Sequence, residues 1–247
     1  DKIREEIEKR SSFQHQVNAD RLKYKDMIEG LMAEVNAFVP SDVGACAVFV
    51  KYVDSKLSVL CDERMVLKGF EGWPEGKLAL FSEVVAREEE ISKLKGMLDV
   101  KGPEWKAKPN MAEEVRFVMS QFERLTTQLE WLEKSKADDE RKLRELGIPV
   151  DGNGLKRVRV GVVEAAKYVM QIGLSASQRL AAQAASADPP PAKTLQHLQG
   201  QVVWLLQAGM RFGFKCHQFA GGFDSEAAGL FHSVRSELER LGEAKQA

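Results

Sequence analysis

The stretch LQHLQGQVVWLLQAGMRFGFKCHQF, residues 195–219, decides the fold class of this chain. Apolar and small residues recur in it at alternating steps of three and four, which is the spacing of one face of an α-helix. These positions are Leu195, Leu198, Val202, Leu205, Gly209, Phe212, Cys216 and Phe219. Glycine lowers the stability of a helix interior, so Gly209 and Gly213 indicate that another helix approaches closely there. The stretch therefore predicts a long helix that packs against other helices, with Cys216 in the core.

The same period continues along the rest of the chain. It predicts six further helices, over residues 3–38, 41–67, 74–94, 111–146, 161–185 and 225–241. The helix over 111–146 would be ~50 Å long, which exceeds the width of a compact domain. Residues 158–162 alternate in a way that also suits a short strand, but a lone strand has nothing to pair with. We therefore expect an all-α, elongated bundle of about seven helices.

The first predicted helix has a seam close to coiled-coil spacing. The seam positions are Ile3, Ile7, Arg10, Gln14, Val17, Arg21, Tyr24, Ile28, Leu31, Val35 and Phe38. Its polar members leave the first half of the helix with little to bury, and Pro40 ends the helix. We expect residues 1–40 to form an N-terminal helical arm that could serve for dimerisation, followed by a helical domain over 41–247. A frayed, solvated helix end would explain the same pattern.

The composition gives no global electrostatic field. The 36 basic and 37 acidic residues leave a net charge of −1, which does not favour nucleic acid or an anionic membrane as a partner. Cys46, Cys61 and Cys216 are widely spaced and odd in number, which argues against a disulfide framework or a zinc site and suits a reducing cytosol. No apolar run is long enough to span a bilayer, so we expect a soluble domain without direct membrane insertion. The pattern is already helical at Asp1, which suggests a domain excised from a longer protein, with any targeting segment outside it.

Motifs for catalysis or cofactor binding are missing from the sequence. Neither a P-loop nor a GxGxxG pattern occurs, and the histidines lack metal-ligand spacing. His217 and Asp224 could be imagined as a base and its orienting acid, but Asp224 is better explained as the N-cap of the last helix. Arg64 falls on the inward stripe of its predicted helix, next to Asp62 and Glu63, which predicts a buried or half-buried structural ion pair. We expect no enzyme, no cofactor and no metal.

Two short basic clusters are the candidate partner-binding residues. They are predicted to lie in two loops and consist of Lys101, Lys106 and Lys108, and of Lys156, Arg157 and Arg159. Such clusters are commonly just solvated surface, and the functional alternative is contact with an acidic protein surface. Trp105 is the only aromatic residue between the members of either cluster, so a stacking platform for single-stranded nucleic acid is not indicated.

Several segments taken together resemble the C-terminal domain of the plant chloroplast unusual positioning family. They are IEKRSS at 7–12, DERMVLK at 62–68, WPEGK at 73–77, GIPVD at 147–151 and RFGFKCHQFAGGFD at 211–224. The similarity covers most of the chain in the same order. The motif residues that we expect to be structural are Asp62, Glu63, Arg64, Trp73, Pro74, Arg211, His217, Gln218, Phe219, Gly221, Gly222, Phe223 and Asp224.

This resemblance implies a function in the cytoskeleton. It implies a module on the cytosolic face of the chloroplast outer envelope that promotes actin filament assembly with profilin for light-driven chloroplast movement. It also implies a likeness to the core homology domain of formins, an elongated helical homodimer. A related branch of the family is associated with microtubules, so a scaffold or dimerisation domain for microtubules or other cytoskeletal partners is the alternative. Holding subunits in filament geometry requires no catalytic residue, because it acts through effective concentration.

Overall fold

The computed structural model describes residues 2–150 and 154–243. Over these residues the chain forms nine helices and no strand, which confirms the predicted all-α class. In chain order the helices are α1 (Lys2–Lys23), α2 (Lys25–Ala37), α3 (Val43–Leu57), α4 (Glu63–Leu67), α5 (Glu75–Met97), α6 (Met111–Glu145), α7 (Gly154–Ala184), α8 (Ala192–Ala220) and α9 (Ser225–Glu243). None of these nine helices combines the length and the apolar character that a membrane crossing requires. Asp151, the last residue of the GIPVD segment, lies outside the described residues.

The described residues divide into two compact units. The first unit comprises residues 2–89 and 136–150, and the second comprises 90–135 and 154–243. This division differs from the boundary at residue 40 expected from the sequence, because Ile28 of α2 is buried in the same apolar cluster as Val53 and Val66. A role of residues 1–40 in dimerisation stays a prediction.

The first unit contains two apolar clusters. One brings together buried residues of α1 to α4, among them Val17, Leu31 and Leu57. The other surrounds Phe81, which is fully buried and meets Phe38 edge-on with ring centroids 5.6 Å apart. Each cluster holds only a few helices together.

The second unit is built on one large apolar cluster. Residues from α6, α7, α8 and α9 fill it, and the predicted face of α8 is buried there from Val202 to Cys216. Cys216 has no exposed surface, which confirms its predicted place in the core. The helices that this cluster holds together, α6 to α9, carry most of the candidate interaction surface.

Two of the seven expected helices are divided in the structure, which raises their number to nine. The first is interrupted at Tyr24, where φ is −105° and ψ is 14°. The second is interrupted after Leu57, and Asp62 then begins α4 by accepting a hydrogen bond of 2.8 Å from the Met65 amide. This interruption changes the helical phase, so Arg64 is exposed and forms no ion pair with the other described residues. The prediction that Arg64 lies inward in a buried or half-buried ion pair is wrong.

Helix α7 begins earlier than the sequence pattern suggested. It starts at Gly154, whereas the predicted start is residue 161, so the second basic cluster belongs to a helix and not to a loop. Val158 and Val162 are buried while Val160 is 56% exposed, as helical spacing requires. The alternation that suited a strand is therefore part of a helical face.

The two glycines of α8 mark a close helix contact, as predicted. A Cβ atom added at Gly209 would lie 3.4 Å from the Cα of Met170, and one added at Gly213 would lie 3.3 Å from the Met170 sulfur. Since an added Cβ at 213 would also lie 3.2 Å from Phe231, α8 packs closely on both α7 and α9. Glycine is used here for close packing.

Candidate interaction surface

The best-defined polar feature of the second unit is a buried lysine with three carboxylate partners. The side chain of Lys167 on α7 is 6% exposed, and its Nζ lies 2.9 Å from Glu164, 2.7 Å from Asp224 and 2.7 Å from Glu226. Glu164 belongs to the same helix, whereas Asp224 and Glu226 lie at the start of α9. The ammonium group therefore ties α7 to the beginning of α9.

These contacts shift the ionisation of the cluster. Burial by itself lowers the pKa of Lys167, but the hydrogen bonds that its ammonium donates to the three carboxylates outweigh this cost and raise the pKa above its ordinary value. The Lys167 ammonium, together with the Ala227 amide, lowers the pKa of Asp224. For Glu164 the ammonium of Lys101 is the main cause of a lowered pKa, and Lys167 adds to it. These shifts hold Lys167, Asp224 and Glu164 in their ionised forms at neutral pH.

The segment HQFAGGFD forms the corner between α8 and α9. Gly221 and Gly222 have φ values of 77° and 140°, and both of their amides donate to the carbonyl oxygen of His217, at 3.1 Å and 3.0 Å. Asp224 caps α9, since its carboxylate accepts a hydrogen bond of 2.8 Å from the Ala227 amide, as predicted. The same carboxylate reaches Lys167, so Asp224 fixes both the start of α9 and its contact with α7.

The two phenylalanines of this segment, Phe219 and Phe223, are half-buried and pack against the apolar cluster of the second unit. Phe219 meets Phe122 of α6 edge-on at 5.6 Å between centroids, and the His217 ring meets Phe223 edge-on at 5.1 Å. The His217 ring thus contacts an aromatic neighbour, while Asp224 is engaged by Lys167. Arg211 and Gln218 are exposed on α8.

The motif residues near the start of the chain lie in the first unit. Asp62 caps α4, and Glu63 next to it is exposed. Trp73 is half-buried against the cluster formed by α1 to α4. The carbonyl oxygen of Pro74 accepts a hydrogen bond of 3.2 Å from the Leu78 amide and begins α5. These residues and the HQFAGGFD segment therefore belong to different units.

The first basic cluster lies in the loop between α5 and α6, as predicted. Lys101 forms an ion pair with Glu164 on α7, and the Lys108 ammonium lies 4.3 Å from the ring centroid of Phe117. Lys106 is exposed. Two of the three cations therefore already have partners within the second unit.

The second basic cluster lies on the first turns of α7. Lys156, Arg157 and Arg159 are all exposed, and Arg159 pairs with Glu133 of α6 at 3.1 Å. The pair between Lys101 and Glu164 places the first cluster against the helix that carries the second. The structure thus brings together two clusters that are more than forty residues apart in sequence.

A shallow hollow of about 340 Å³ joins the second basic cluster to the HQFAGGFD corner. Lys156, Arg159 and Val160 line it from α7, and Gly222 and Asp224 line it from the corner. An exposed valine surrounded by two cations and the carboxylates of Glu164 and Asp224 suits contact with another protein better than chemistry on a small molecule. No three His, Cys, Asp or Glu side chains within 2–150 and 154–243 are grouped as metal ligands.

A buried glutamate that the sequence analysis did not single out anchors the loop carrying the first cluster. Glu114 on α6 is 2% exposed and accepts hydrogen bonds from Trp105 Nε1 at 2.9 Å, from the Lys108 amide at 2.6 Å and from the Tyr168 hydroxyl at 2.9 Å. Burial, followed by the hydrogen bond to Glu114, raises the pKa of Tyr168 to about 12. The sequence spacing does place Glu114 on the buried face of α6, because it lies four residues before Val118 on the same stripe.

Comparison with known proteins finds distant similarity to curated proteins. The chain is 28% identical over 234 residues to an uncharacterized protein of Arabidopsis thaliana, At4g04980. The alignment covers 95% of this chain and 31% of that protein, so the chain spans about a third of the length of the relative it matches. No protein-family model matches the chain.

Proposed function

We propose that this domain is a non-enzymatic actin-assembly module. It promotes nucleation and elongation of actin filaments together with profilin, and it acts as a homodimer at the cytosolic face of the chloroplast outer envelope in chloroplast positioning. The domain binds no cofactor and contributes by holding actin subunits at filament spacing, which raises their effective concentration.

The observation that supports this proposal most is the hollow between α7 and the corner of α8 and α9. It joins residues of the segment on which the family resemblance rests with the exposed cations of α7. The corner is fixed by Lys167 and Asp224, so the cations are presented on a rigid frame. A rigid basic surface is what recognition of an acidic protein surface needs, because little conformational entropy is lost on binding.

The exposed start of α1 supports the homodimer. Residues 8–16 are all exposed although the helix is continuous there, and Val17 is the first fully buried side chain described on α1. Pairing of two such helices would cover a seam that the described part of the chain leaves open. Light scattering should give a mass of twice 27.6 kDa, and a monomer mass at all concentrations would exclude this arrangement.

The function is tested with purified domain, fluorescent actin and profilin. Micromolar domain should shorten the lag of filament assembly, and the triple charge reversal of Lys156, Arg157 and Arg159 to glutamate should reduce the effect roughly tenfold. Reversal of Lys193, an exposed cation at the start of α8, is the control for a single charge reversal elsewhere and should leave the activity unchanged. Circular dichroism confirms that both variants remain helical. An unchanged assembly rate with wild-type domain refutes the proposal.

The same basic surface is compatible with an acidic polymer other than actin. Co-sedimentation of the domain with actin filaments and, separately, with microtubules distinguishes the two functions. Pelleting with microtubules alone would replace the actin proposal by the cytoskeletal scaffold.

A further inference from the structure

A second surface of the second unit is a solvent-open groove formed by α6, α7 and α8. Its volume is about 850 Å³, within the range of sites that hold a ligand or a few residues of a peptide. The first turn of α6 and the preceding Pro109 line one side, and Arg179 lines it from near the end of α7. His197, Gly200, Gln201 and Trp204 line it from α8, where their spacing of three, one and three places them on one face.

The groove carries more positive than negative charge. Arg116 and Arg179 both line it, and neither forms an ion pair with the other described residues. The Arg116 guanidinium instead lies 4.7 Å from the ring centroid of Trp204. Glu113 is the one carboxylate in the lining. An arginine stacked on an aromatic ring keeps its edge available for a carboxylate, which favours an acidic occupant.

The floor of the groove is apolar. Met111, Ala112, Trp204 and Leu205 contribute to it. The rim is held in place because Glu114, buried behind it, accepts the Lys108 amide next to Pro109. A preformed apolar floor with two available guanidinium groups matches a peptide that has an apolar side chain between acidic ones.

We propose that this groove binds an extended acidic segment of a partner protein, with an apolar side chain on the floor and carboxylates paired to Arg116 and Arg179. The site is separate from the hollow on α7, whose lining residues it does not share. The proposal therefore does not depend on actin assembly. Gly200 leaves space for the peptide, since a Cβ atom added there has no neighbour within 4 Å.

The test uses a short labelled peptide in which glutamates flank leucines, titrated into the whole domain at low salt with anisotropy as the readout. The acidic peptide should bind, and the same peptide with lysines in place of the glutamates should not. Arg116→Glu and Arg179→Glu should each weaken binding roughly tenfold. Arg124→Glu makes the same charge change at an exposed position on α6 outside the groove, and it should change binding less than about twofold.

A variant that fills the groove separates binding from folding. Gly200→Leu adds a helix-favouring side chain in open space, so the thermal midpoint should stay or rise while peptide binding is lost. The matched variant Gly229→Leu, on α9 where an added Cβ also meets nothing, should bind normally. The proposal is overturned if the acidic peptide does not bind at millimolar concentration, if Gly200→Leu binds as well as wild type, or if Arg124→Glu weakens binding as much as Arg116→Glu. Binding of phosphatidylserine vesicles without binding of the peptide would also overturn it in favour of a lipid surface.

Discussion

In the first unit the apolar residues form two small clusters, whereas in the second they form one large cluster that also encloses polar side chains. Glu114, Lys167 and Ser177 are the buried polar side chains among the described residues, and all three belong to the second unit. Each has a partner from another segment: Glu114 holds the loop before α6, Lys167 holds α9, and Ser177 donates to Glu237. A buried polar group accepts few arrangements of its neighbours, so these contacts specify how the helices of the second unit are placed.

The largest effect is expected from removing an aromatic ring in the first unit. Phe81 is fully buried, and Phe38 and Phe49 both meet its ring edge-on. Phe81→Ala should lower the free energy of unfolding by about 4 kcal/mol, because it leaves a cavity in a small cluster. Urea unfolding, monitored by hydrogen exchange of peptides from the first unit, measures this loss of unfolding free energy. Phe214→Ala, at a position that is 55% exposed, is the control and should stay within about 0.5 kcal/mol of wild type.

The next largest effect is expected from the buried glutamate of the second unit. Glu114→Ala leaves Trp105, Tyr168 and the Lys108 amide without their acceptor and should cost about 3 kcal/mol. Exchange should increase first in the loop around Trp105. Glu113→Ala, at the neighbouring exposed position, should be nearly neutral. Equal losses from both variants would show that the hydrogen bonds of Glu114 do not specify this unit.

The smallest of the three effects concerns Lys167. Lys167→Met keeps an apolar stem but removes the ammonium group that pairs with the three carboxylates, and it should lower the free energy of unfolding by about 2 kcal/mol. The loss is no larger because the partly exposed carboxylates of Asp224 and Glu226 regain water. The variant should also alter the pH dependence of stability. Asp224 and Glu164 have pKa values lowered by folding, so the unfolded chain binds more protons than the folded one as pH falls below their ordinary values of 3.8 and 4.5.

Wild-type stability from this cluster is therefore present above about pH 5 and is lost on acidification. Thermal unfolding of wild type and Lys167→Met between neutral and acidic pH should show a shallower loss for the variant in the second unit. Parallel pH profiles would contradict the role of Lys167 in the cluster. Lys193→Met, at an exposed position, serves as the control for loss of one positive charge.

The helices were predictable because their burial follows a periodic pattern. The stripe from Leu195 to Phe219 gave α8 within a few residues, and Gly209 and Gly213 indicated the close contact correctly. The pattern could not show the interruptions near Tyr24 and before Asp62, because the apolar period continues through both. The same continuity placed Arg64 on the wrong face.

The contacts that fix the candidate surface were less predictable. Asp224 was recognised as a cap because capping is local in sequence, whereas its pairing with Lys167 joins residues 57 positions apart. Glu114 could have been noticed as an acidic residue on a buried stripe, but its three donors come from different segments. Long-range polar partners depend on tertiary structure, and one sequence does not encode them as a pattern.

The environment of Lys167 has a consequence for its chemical reactivity. Only an unprotonated amine attacks acylating reagents, and this side chain is both covered and kept protonated by its three carboxylates. It should therefore acylate slowly while α9 rests on α7 and quickly once these helices separate. The rate at which this one amine is labelled would report how often the second unit opens, without any introduced probe.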